Sequence, residues 1–142
     1  MKRFAMTRPL SDVDALSALL KHQRYQDHYA TDEAHWIPTG DLHGPYRLSL
    51  LGVGSFVQVK PATARQTLRD WAKEYDGEHA EGFADVLQTS AAVLNDEMTI
   101  LYLLADRDVT GHDWGWVLGD FYEFVVINRG SDQLSLVVAS DD

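Results

Sequence analysis

The sequence predicts an α+β fold, with an antiparallel or mixed sheet of about five strands packed against two or three helices. Three observations carry this. Apolar residues recur at helical spacing in three separate stretches, strand-like runs dominate the last third of the chain, and the order α-β-β-α-α-β-β-β groups like elements instead of alternating them. The length of 142 residues suits a single globular domain spanning residues 1–142. With 45% hydrophobic, 11% aromatic and 24% charged residues, the composition is that of a folded chain.

Ser11 opens the first helix, with Asp14 three residues on and Val13, Leu16, Leu19 and Leu20 at helical spacing as far as about Arg24. Between Tyr25 and Pro45 the periodicity fails among the breakers Pro38, Gly40, Gly44 and Pro45, so the segment reads as a long loop with one helical turn near Thr31-Asp32-Glu33. Tyr46–Leu51 and Phe56–Lys60 read as strands joined by a hairpin turn or bulge at Gly52–Ser55, and Pro61 ends the second. Ala64, Leu68, Trp71, Ala72 and Tyr75 then mark one face of an amphipathic helix, closed by Gly77. A third helix is expected over about Ala80 to Asn95 on Phe83, Val86, Leu87, Ala91 and Leu94. Met98–Ala105 is apolar on both alternating faces, as expected of the strand at the centre of the sheet. Phe121–Asn128 and Gln133–Ala139 flank Arg129–Asp132 as a terminal hairpin.

Charge divides the chain. Residues 1–75 hold 10 Lys and Arg against 8 Asp and Glu, whereas residues 76–142 hold 2 against 14, within a formal net charge of −10. Such a balance argues against nucleic acid, whose phosphates need clustered cations, and favours cationic partners. The absence of cysteine excludes disulfides, thiol nucleophiles and Cys-ligated metals. The basic start, Met1-Lys2-Arg3, has no apolar run behind it, and no stretch approaches the roughly 20 apolar residues of a membrane span, so no membrane association and a cytoplasmic location are expected.

Asp106-Arg107-Asp108-Val109-Thr110, following the apolar Ile100–Leu104, is similar to the first motif of the haloacid-dehalogenase phosphohydrolases. In that family the first Asp attacks the substrate, the second acts as acid and base, and magnesium bridges carboxylates and phosphate. Only 32 residues follow Thr110, fewer than the further strand–helix units of that fold occupy. Asp106, Asp108, Thr110 and Gly111 also resemble the first half of an EF-hand calcium loop, but Asp113 stands where an aliphatic residue is usual and Val117 where the bidentate glutamate is. The expectation is a weak divalent-cation site on Asp106, Asp108 and Asp113, set against a solvated turn whose side chains bond their own backbone.

Leu51–Val59 resembles the glycine-rich loop of protein kinases, with Val57 at the third glycine; no His-Arg-Asp triplet accompanies it, and Asp120-Phe121-Tyr122 lacks the glycine of the magnesium motif. His28, Asp32 and His35 would form a two-His, one-carboxylate ligand set if their segment were helical, with His22 and His43 nearby in sequence. Arg65, Arg69 and Lys73 form a basic stripe interleaved with Asp70 and Glu74, read as a solvated face or as a dock for the acidic half of a second copy, giving a homodimer.

Trp114, Trp116, Phe121, Tyr122 and Phe124 complete the candidates. Trp116 and Phe124 fit a core equally well, yet two tryptophans among Gly111, Gly115 and Gly119 lie where an apolar ring is hard to bury. The sequence therefore leaves two readings. The first, preferred to an enzyme, is a small acidic binding protein, immunity-like or chaperone-like, that meets a basic protein or peptide through His112, Asp113, Trp114, Trp116 and Tyr122 without a cofactor. The second is a small divalent-metal-dependent enzyme of phosphohydrolase type, centred on Asp106 and Asp108 with Asp113 and His112.

Overall fold

Helices form where apolar residues recur three and four apart. The computed structural model describes residues 1–7, 10–30, 40–74 and 80–140. Helix α1 spans Asp12–Leu20; Ser11 caps it by accepting the Asp14 amide, and Ala15, Leu16 and Leu19 are buried. Helix α2 (Pro61–Glu74) begins on a proline whose missing N–H costs nothing in the first turn, and it buries Ala64, Leu68 and Ala72. On its exposed face the Gln66 amide (2.8 Å) and the Lys73 ammonium (3.0 Å) donate to Asp70 and hold its carboxyl below the ordinary value. That contribution is present above the unfolded-state pKa and is lost as pH falls through the folded one. Helix α3 spans Ala80–Val93.

The fold class is α+β, built on a five-stranded antiparallel sheet in the order β1-β7-β6-β5-β4. Its strands are β1 (Lys2–Ala5), β4 (Phe56–Val59), β5 (Thr99–Leu103), β6 (Phe121–Asn128) and β7 (Gln133–Ser140). The terminal hairpin forms as expected, β6 beside β7 across Arg129–Asp132. β5 is interior, but the central strand is β6, which is longer and almost wholly buried.

Two strand expectations are corrected. Tyr46–Leu51 is not one strand: only Tyr46–Arg47 (β3) pairs, with Leu42–His43 (β2), and Leu48–Leu50 is a 3₁₀ turn. Asp41 causes this. Its carbonyl accepts the Leu48 amide (3.1 Å) and its carboxylate accepts the Ser49 amide (2.6 Å) and hydroxyl, which curls the backbone before it can extend. Gly52–Ser55 is likewise no hairpin turn: Val53–Ser55 is a 3₁₀ turn, and β4 joins the main sheet beside β5. β1, which has no counterpart in the expected order, pairs antiparallel with β7 from Lys2↔Leu136 to Ala5↔Gln133.

The chain divides into two compact units: Met1–Pro9 with Gln58–Tyr102 and Tyr122–Ala139, and Leu10–Val57 with Leu103–Phe121 and Ser140–Asp142. In the first, Ala64, Leu68 and Leu94 pack with Ile100, Phe124, Val126, Val137 and Ala139 from one face of the sheet. Ile100↔Val126 and Tyr102↔Phe124 are cross-strand pairs on that face. The residues that alternate with these, Leu101, Val125, Ile127, Leu134 and Leu136, are also buried, so both faces of the central strands are out of water. Arg65, expected in a solvated stripe, instead donates to the Leu94 carbonyl and ties α2 to the end of α3. Among the described residues no helix is long and apolar enough to cross a membrane.

Phe124→Ala should lower the unfolding free energy by about 3–5 kcal/mol, since its fully buried ring leaves a cavity that close-packed neighbours fill only in part. Urea titration followed by circular dichroism measures the loss; a change under about 1 kcal/mol would place Phe124 outside the core.

Candidate functional site

The second unit contains a short hairpin on which a loop is docked. β2 and β3 are joined by Gly44-Pro45, with Gly44 at φ +52°, the positive φ of the two-residue hairpin turn. A Cβ on Gly44 would run into the Phe121 ring, so glycine is required there twice over. The Gly44 amide donates to the Asp27 carbonyl at 2.8 Å. His43 is fully buried: its ring stacks on Tyr25 at 3.6 Å, meets Tyr29 and Phe121 edge-on at 5.5 and 5.9 Å, and its Nδ1–H donates to the Tyr25 carbonyl. Tyr46 adds a further edge contact to Phe121 at 5.9 Å. His43 thus belongs to an aromatic core that the sequence did not announce. Its only signal was the density of histidine and tyrosine in a segment rich in breakers.

The loop between β5 and β6 lies on this hairpin through α4 (Arg107–Thr110) and Gly111–Trp114. Tyr46 and Gly111 form an isolated antiparallel bridge, and the His112 amide donates to the Pro45 carbonyl at 3.2 Å. The His112 ring then works at both ends. Nδ1 accepts the Trp114 amide at 3.1 Å, which leaves the hydrogen on Nε2 to donate to the Gly44 carbonyl at 2.9 Å. Gly115 is buried so close to Pro45 that a Cβ would strike its carbonyl oxygen. Arg107 closes the far side, with Nη1 donating to the Leu118 and Gly119 carbonyls at 2.9 Å each.

This scaffold leaves large side chains in water. Of the large hydrophobic residues exposed among the described residues, half lie in Leu104–Trp116: Trp116 is 72% exposed, Val109 70%, Leu104 62% and Trp114 38%. Asp106, Asp108 and Asp113 are exposed between them. Arg107 is the one Lys or Arg in residues 104–120, and its guanidinium is turned onto backbone carbonyls, so the face is acidic as well as aromatic.

The expected metal ligands have separate tasks. The Asp106 carboxylate caps α4 by accepting the Asp108 amide at 2.9 Å, while Thr110 bonds the Asp106 carbonyl at 2.7 Å. Asp113, 90% exposed, lies 3.4 Å from Arg47. Among the described residues no group of three His, Cys, Asp or Glu side chains could hold a metal ion. Asp32 and His35 lie outside the described residues; His28 accepts the Ala30 amide through Nδ1 at 3.2 Å. Tyr122 is half-buried and packs against the core of the first unit with Phe124. Trp116, an equal candidate for the core by sequence, is the most exposed of these rings.

Comparison of the chain with protein-family models, with curated proteins and with solved structures finds no match.

Gly44→Ala should destabilise the protein by more than about 2 kcal/mol, because the substitution combines a left-handed backbone with a displaced aromatic ring; thermal or urea unfolding reads it. His112→Ala should speed hydrogen exchange at the Trp114 amide, which loses its acceptor, and leave the β6 amides as protected as before.

Proposed function

We propose that Leu104–Trp116 is a preorganised docking face for a protein or peptide partner with a basic surface. The observation that carries this reading is Trp116, whose indole stands 72% exposed on a backbone fixed from both sides by hydrogen bonds. An exposed indole adds little to the fold, whereas at an interface it brings large area at low entropic cost. Anchoring the backbone beforehand removes part of the ordering penalty that binding otherwise carries. The surrounding carboxylates favour lysine and arginine, and the indole face favours the same groups through its quadrupole. The size and charge suit an immunity-like inhibitor or a small chaperone, a likeness of class only.

A lysine- and arginine-rich peptide titrated into the protein, followed by tryptophan fluorescence, tests the reading. Binding should weaken as salt shortens the Debye length from about 10 Å at 0.1 M to about 3 Å at 1 M. Trp116→Ala should weaken it about tenfold or more while the melting temperature stays within experimental error. Salt-insensitive binding, or equal binding by the Trp116→Ala protein, would overturn the proposal.

A further inference from the structure

We infer that one partner of the tryptophan loop is a second copy of this chain, whose cleft between α2 and α3 receives Trp116. This rests on the reading of the loop as a docking face and names its occupant. The cleft measures about 200 Å³ and is lined by Arg65, Leu68, Arg69, Leu87, Gln88 and Ala91. Smaller than the ~300–1,000 Å³ of typical ligand pockets, it accepts one large side chain in preference to a cofactor.

Its chemistry is the complement of the loop. Leu68 and Leu87, both packed into or against the core of the first unit, give it an apolar floor. Two guanidinium groups line it and no carboxylate does. Arg65 is held at the rim by its bond to the Leu94 carbonyl and lies 3.5 Å from the Asp96 carboxylate, whereas Arg69 is exposed with its hydrogen bond going to the neutral amide oxygen of Gln66 at 3.0 Å and is the cation that the loop carboxylates would meet. The loop presents the reverse arrangement: an exposed indole, exposed carboxylates at Asp106, Asp108 and Asp113, and its one arginine turned inward. Seated in the cleft, the indole would leave water for an apolar floor and place its π-face within reach of guanidinium, with the loop carboxylates meeting Arg69. Loop and cleft are different surfaces, so reciprocal exchange between two copies would close an isologous dimer and one-way exchange would build a heterologous chain.

Sedimentation velocity over a concentration series, at about 0.1 M and about 1 M salt, reads the association. The expected result is a mass that rises with concentration and rises less at high salt. Trp116→Ala and Arg69→Glu, both at exposed positions, should each weaken the association about tenfold or more with unchanged circular dichroism. A wild-type protein that stays monomeric throughout, or an Arg69→Glu protein that associates as the wild type does, overturns the inference. The basic-peptide titration, run at concentrations where the protein is monomeric, separates the two claims. Peptide binding without self-association leaves the docking face standing and removes the second copy; neither result leaves neither claim. Self-association that needs both Trp116 and Arg69, without peptide binding, supports the second copy as the partner.

Discussion

The close approach of the Gly44 backbone to the Phe121 ring is the constraint on which the docked loop depends. A side chain at Gly44 would push the ring aside and force a left-handed backbone on a residue that resists it. With glycine there, the turn lies flat on Phe121, which in turn packs edge-on against Tyr29, His43 and Tyr46. The carbonyls of Gly44 and Pro45 are thereby presented to the His112 side chain and amide, and those two bonds carry the loop. A hydrogen bond contributes only about 1 kcal/mol net, so the position of the loop rests on several such bonds acting on one rigid turn.

In this region the carboxylates of Asp106, Asp108 and Asp113 stay in water, but the cation and the imidazole turn inward while large apolar side chains turn outward. The Arg107 guanidinium and the His112 imidazole satisfy backbone groups, whereas Leu104, Val109, Trp114 and Trp116 face solvent. The same inversion recurs inside the molecule, where His43 and Glu123 are wholly buried. For His43 the cost of desolvation is offset by a hydrogen bond to Tyr25 and by ring stacking.

Local signals were legible in the sequence and long-range ones were not. α1, α2, α3 and the terminal hairpin follow from spacings and caps within a few residues of each other, and they formed within a few residues of the expected bounds. The strand read at Tyr46–Leu51 failed because the Asp41 carbonyl and carboxylate reach Leu48 and Ser49, a specific polar contact that the apolar pattern of the segment does not express. β1 was invisible for a related reason: four residues with two cations gain strand structure only from β7, more than a hundred residues away. At the site, the glycine spacing around two tryptophans pointed to the exposed loop, but not to the hairpin that holds it. Tyr122 looked equivalent to its aromatic neighbours because alternation in a strand decides its side only once the start of β6 is known.

The short first strand also has a consequence for solubility. β7 carries Leu134, Leu136, Val137, Val138 and Ala139, the composition of a segment that templates cross-β assembly when its edge is open. β1 covers the Gln133–Leu136 half of that edge with four residues, two of them Lys2 and Arg3, and its shortness and charge leave little for another chain to extend. Detachment of β1 would thus cost little in packing, yet it would convert an interior strand into an adhesive one.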